Sequence, residues 1–75
     1  MMVSEKARRE KLRKELRVAR IRANLRQVEV AEMLGKPQSY IAKVENGERK
    51  IDLIETMLLC KAVGLDPHHL IESLI

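Results

Sequence analysis

An all-α fold of five helices is predicted by three observations. Apolar residues recur at helical spacing: Leu12, Leu16, Ala19 and Ala23 in one stretch, Val30, Ala31 and Leu34 in a second, Ile41 and Val44 in a third. Gly35, Gly47 and Gly64 punctuate the chain just beyond periodic runs, where a helix ends most cheaply in a left-handed turn. Val, Ile and Thr do not cluster in alternating runs, so no strand is expected. The 75 residues, 45% of them hydrophobic, make one small globular domain with a modest core. Tyr40 is the one aromatic residue, so that core is aliphatic.

The first helix is expected over residues 4–24, with Ser4 as N-cap and good helix formers between the apolar positions. Its start, residues 5–11, has little apolar content beyond Ala7, so burial contributes little to ordering it and it is free to project as a basic arm. Asn24 and Leu25 break the pattern. A second helix then runs to Leu34, and Gly35 ends it. Pro37 fits the first turn of a third helix, about residues 37–46, because its missing N–H costs nothing there. Two helices joined by a few residues containing a glycine form either a helix-turn-helix or an ordinary helical hairpin.

Beyond Gly47, residues 48–50 form a short polar loop. Asp52 and Glu55 have the spacing of a capping box, so a fourth helix is expected from about Leu53 to Val63. Asp66-Pro67 gives the next start signal, for a last helix through about Leu74. The fourth helix carries more apolar residues than one face needs. Leu53, Met57, Cys60 and Val63 make its expected buried stripe, whereas Ile54, Leu58 and Leu59 spread around the side. That surplus, with Leu70, Ile71, Leu74 and Ile75 of the last helix, suggests an interface, and a two-fold homodimer is the favoured assembly.

Charge points to the partner. Net charge is +4 and the isoelectric point about 9.6. Residues 1–26 carry ten Lys or Arg against three Glu, and residues 27–75 carry five against eight acids. A strongly basic half beside a mildly acidic one suits a face that meets phosphates. It equally suits a merely solvated helix surface, or an amphipathic helix on an anionic membrane, although the apolar stripe is narrow and lacks aromatics. Cys60 is the single cysteine, so no intrachain disulfide forms, and it reads as a core residue. One Cys with the adjacent His68 and His69 supplies no zinc ligand set, so no metal or cofactor is expected. No stretch near the N-terminus resembles a signal peptide or membrane span, and a cytoplasmic location is the default. Neither a nucleophile–base arrangement nor a Gly-rich phosphate loop is present, so an enzyme is not expected.

Residues 12–74 resemble the Cro/C1-type helix-turn-helix domain of phage repressors and xenobiotic-response-element-type bacterial regulators, a compact, lambda-repressor-like five-helix bundle. The residues that carry the resemblance are Leu16-Arg17-x-x-Arg20, Leu25-x-Gln27, Val30-Ala31-x-x-Leu34-Gly35, Ser39-Tyr40-Ile41-x-Lys43-Val44-Glu45-x-Gly47 and Leu53 through Ala62-x-Gly64. The expected division is a domain over residues 12–75 and, over residues 1–11, a basic extension of an unusually long first helix.

That resemblance implies double-stranded DNA as partner and roles for individual residues. Gln38, Ser39 and Lys43, exposed on the third helix, would read bases in the major groove; Gln can bond adenine N6 and N7, and Lys suits guanine O6 and N7. Arg26 and Gln27 at the start of helix two, and Asn46, Arg49 and Lys50 after helix three, would contact phosphates. Tyr40 would reach a phosphate through its hydroxyl or cover the helix junction. Arg20 and Glu45 would form a structural ion pair between helices one and three. Pro37 departs from the Ser or Thr N-cap common in the family, at a cost of about 1 kcal/mol if nothing replaces the cap. Val28, Met33, Ile54 and Leu58 are apolar where family members often carry charge. Of these, Ile54 and Leu58 support a dimer interface shared with Ile71, Leu74 and Ile75.

The function implied is a sequence-specific transcriptional regulator, a repressor or an activator, that binds an inverted repeat as a dimer. The alternative is a protein-interaction module, such as an antitoxin, that uses the apolar surface of the last two helices. No sensor domain follows the motif, so any signal is expected to act through concentration, proteolysis or a partner protein.

Overall fold

The computed structural model describes residues 4–75, and the first three residues of the expected basic extension lie outside it. Five helices follow one another: α1 (Glu5–Arg22), α2 (Gln27–Leu34), α3 (Gln38–Asn46), α4 (Leu53–Val63) and α5 (Pro67–Leu74). No strand occurs among the described residues. α1 packs against α3, α4 and α5, while α2 packs against α3 and α4. The core consists of Leu16, Val30, Ala31, Tyr40, Ile41, Val44, Leu59, Cys60, Val63 and Leu70, so every helix contributes to it.

The helix ends follow from their residues. The Ser4 hydroxyl accepts from the Ala7 N–H at 3.1 Å. Asp52 accepts from the Glu55 N–H at 2.7 Å while the Glu55 carboxylate accepts from the Asp52 N–H at 3.1 Å, which closes the expected capping box. Asp66 caps α5 through the His68 N–H at 3.0 Å, with Pro67 as the first helical residue. Two residues past the end of α1 the chain turns at Asn24, whose φ of 59° is left-handed, a conformation asparagine tolerates better than most residues. Gly35, at φ 65°, turns the chain out of α2, and the Lys36 N–H returns to the Ala31 carbonyl at 2.9 Å.

Three expectations change. Pro37 is the N-cap of α3 rather than its first helical residue, and it supplies no side-chain cap bond. On α4 the buried residues are Leu59, Cys60 and Val63, whereas Leu53 and Met57 are exposed together with Ile54 and Leu58. When nearly every position of a helix is apolar, spacing does not say which face turns inward. Leu74 is also corrected. It is half-buried and packs against the core instead of lying on the open apolar face, and its carbonyl accepts from Arg8 Nε at 2.8 Å. That bond fastens the first turns of α1 to the end of α5.

Candidate nucleic-acid interface

α3 divides cleanly by face. Tyr40, Ile41 and Val44 point into the core, which leaves Gln38, Ser39 and Lys43 exposed on the other side. Ser39 and Lys43 make no side-chain hydrogen bond among the described residues, so their polar groups are free for a ligand. The helix is held in place by a polar chain from α1. Arg20 donates from Nε to Glu45 Oε2 at 2.6 Å and from Nη2 to Glu45 Oε1 at 2.9 Å, a bidentate pair. Its Nη1 donates to the Leu25 carbonyl at 2.8 Å. One guanidinium therefore fixes both the entry into α2 and the last turn of α3. The side chains of Arg20 and Glu45 are only 12% and 9% exposed, so the pair is largely removed from water.

Gln27, at the start of α2, extends this chain. Its Nε2 donates to Glu45 Oε1 at 3.1 Å, and its Oε1 accepts from Gln38 Nε2 at 3.2 Å. An amide nitrogen carries two N–H groups, so Gln27 and Gln38 each keep one donor, and Gln38 keeps its carbonyl oxygen. These remaining groups match what a phosphate oxygen and an adenine edge require. Family resemblance assigned Gln27 to phosphate without revealing that it also braces Gln38. Arg26 is exposed, and its backbone N–H donates to Glu29 at 2.8 Å while Nε approaches the same oxygen at 3.3 Å.

Asn46, the last residue of α3, and Arg49 and Lys50 in the segment after it are all exposed. Asn46 shapes the loop: its oxygen accepts from the Glu48 N–H at 3.0 Å, and its nitrogen donates to the Glu48 carboxylate at 2.8 Å. Lys50 makes no ion pair among the described residues. Tyr40 and Arg49 meet on Glu55. The Tyr40 hydroxyl donates to Glu55 Oε2 at 2.8 Å and Arg49 Nη2 donates to the same oxygen at 2.7 Å. The Arg49 guanidinium and the Lys36 ammonium also lie 5.0 and 5.4 Å from the centre of the Tyr40 ring. Tyr40 is buried at the junction of α3 and α4, with its hydroxyl engaged by Glu55. Glu55 was legible only as a helix cap, because its reach to Tyr40 depends on how α4 docks.

Three donors on one carboxylate hold Glu55 below the usual glutamate range: first the Asp52 N–H, then the Tyr40 hydroxyl, then Arg49. Burial, and secondarily Glu55, push the Tyr40 phenol up. A depressed carboxyl pKa gives stability that is complete above the unfolded value, about 4.3, and is lost as pH falls through the folded value. Thermal melts from pH 6 to pH 3 should therefore show a steady fall in midpoint below about pH 4.3. Glu55→Gln should flatten that fall, and equal slopes for the two proteins would remove Glu55 as its source.

No helix among the described residues is long and apolar enough to cross a membrane. The helix-turn-helix family profile matches residues 16–70, which span all four of the elements from the middle of α1 to α4 and reach Leu70 of α5. Among solved structures, an XRE-family like protein from Pseudomonas syringae pv. tomato str. DC3000 superposes with a TM-score of 0.87 at 43% identity, over 92% of this chain and 84% of that one. No curated protein matches the chain. The packed α2–α3 pair, its open polar face and the profile match agree: this chain belongs to the Cro/C1-type helix-turn-helix family of DNA-binding regulators.

Proposed function

We propose that the protein is a transcriptional regulator that binds double-stranded DNA as a homodimer on an inverted repeat, with α3 in the major groove. The observation that carries this reading is the exposed face of α3, where Gln38, Ser39 and Lys43 stand on a helix tied to α1 by a largely buried ion pair. Gln38, Ser39 and Lys43 read base edges. Gln27 and Arg26 on one side, and Asn46, Arg49 and Lys50 on the other, hold the backbone and so set the register. Tyr40 serves this surface indirectly, by keeping Arg49 beside the end of α3.

Selection of bound duplexes from a random pool, followed by competition among single-base variants, tests the assignment. Gln38→Ala or Lys43→Ala should relax preference at one position per half-site by about 1–3 kcal/mol. A uniform loss over all sequences would instead make that residue a phosphate contact. Retention of no duplex at any salt would favour a protein-interaction module.

The homodimer is supported by the open apolar face: Leu53, Ile54, Met57 and Leu58 on α4, with Ile71 and Ile75 on α5, are all about half exposed or more. Sedimentation across a concentration series should show a monomer–dimer equilibrium that Leu58→Lys shifts toward monomer. A monomer at the highest concentration would overturn the homodimer and leave the face to a different protein.

A further inference from the structure

The first turns of α1 lie outside the family match, yet they are not detached from the DNA-facing side of the molecule. They form one wall of a groove of about 510 Å³, whose other wall is Asn46 at the end of α3 and the following segment with Arg49 and Lys50. Lys6, Arg9 and Arg13 fall at i, i+3 and i+7 and so share the helix face that lines it. The opposite wall approaches closely at Gly47, where a Cβ would stand 3.0 Å from Arg13 Cζ. Gly47, left-handed at φ 85°, thus lets the Arg13 guanidinium lie flat on the backbone just beyond α3.

The charge in this groove is not balanced internally. Arg9 is paired with Glu5 at 2.6 Å and Arg49 with Glu55 at 2.7 Å. Lys6, Arg13 and Lys50 make no ion pair among the described residues, and Glu10 is the one further acid on the rim. Unpaired cations converge on the wall that already holds the phosphate-contacting segment. We infer that Lys6 and Arg13 extend the DNA-backbone contact from Lys50 onto α1, so that the helix start clamps additional phosphates next to those held after α3. The inference rests on the DNA-binding reading and adds residues that the family motif does not include. Charge complementarity and continuity with the Asn46–Lys50 surface select the DNA backbone over a small anion. The Arg8 bond to the Leu74 carbonyl ties this part of α1 to the end of α5.

The test compares the full chain with its Lys6→Gln/Arg13→Gln variant on a duplex recovered by selection, using phosphate-ethylation interference and the salt dependence of affinity. Wild type should show a run of phosphates whose ethylation weakens binding, and the variant should lose a subset next to those lost in Lys50→Gln. The slope of log affinity against log salt should shrink by about 1.8 in the double variant, since each phosphate contributes about 0.9. The wild-type advantage should accordingly fall about tenfold between about 50 and 200 mM salt. An unchanged set of phosphates overturns the inference, whether affinity stays the same or drops evenly through loss of general positive field. Failure of wild type to retain any duplex would overturn the DNA reading itself, a separate and recognisable result. Lys6 is exposed but Arg13 is half-buried against Gly47, so thermal melts of the double variant and of Lys6→Gln alone separate any loss of stability from the loss of phosphate contacts.

Discussion

Glu45→Ala should destabilise the domain by about 3–5 kcal/mol, as measured by urea unfolding in the absence of DNA. A 75-residue domain has about 4–11 kcal/mol in total, so the loss takes a large part of its stability. The reason is the environment of the pair. With Arg20 and Glu45 nearly closed off from water, removing the carboxylate strands a guanidinium that has been desolvated and retains only the Leu25 carbonyl. Replacing both partners with apolar residues of similar size, Arg20→Met with Glu45→Leu, should recover much of the loss, because no buried charge then lacks a partner. Near-wild-type stability of Glu45→Ala would mean that the pair is solvated and contributes no more than an exposed one, under about 1 kcal/mol.

Ile41→Ala is expected to cost about 2–5 kcal/mol through lost burial and the cavity left behind, and Ile41→Val only about 0.5–1.5. Ile41, on α3, is 2% exposed and among the largest fully buried side chains. The urea midpoint should drop with little change in slope, the mark of a native state that is weakened but not expanded. The same measurement settles the faces of α4. Leu59→Ala should fall in the cavity range, whereas Leu58→Ala, on the open side, should change the monomer's stability by less than about 1 kcal/mol. Equal losses at Leu58 and Leu59 would contradict the docking of this helix.

Much of the fold is legible in the chain because its signals are local. The Asp52–Glu55 box, Asp66-Pro67 and the glycines at 35, 47 and 64 each act over a few residues, so spacing alone places the helix ends. The Arg20–Glu45 pair links residues 25 apart, and only the family resemblance reveals it from sequence. What stayed hidden depends on docking. Neither the Tyr40–Glu55–Arg49 cluster nor the Gln27–Gln38 bond follows from spacing, since each joins side chains of different elements across a surface. The phase of α4 is also hidden, because five of the seven residues from Leu53 to Leu59, all but Glu55 and Thr56, are apolar and offer no contrast to tell the faces apart, and Leu53 and Met57 emerge on the outside. Leu74 shows the same limit at a chain end: apolar spacing marks it as available for burial without saying which neighbour buries it.

The chain of side chains from Arg20 through Glu45 and Gln27 to Gln38 bears on how binding energy is divided in time. A glutamine has up to about 2 kcal/mol of rotamer entropy to lose when it is pinned. Here part of that freedom is already gone in the unliganded protein, because Gln38 leans on Gln27 and Gln27 on a carboxylate that is itself clamped. The ordering cost falls within folding, where the whole domain shares it, and a duplex meets a tip whose orientation is set. If Gln38 reads a base as proposed, a change of operator made through it also involves Gln27, since Gln27 bonds both Gln38 and Glu45.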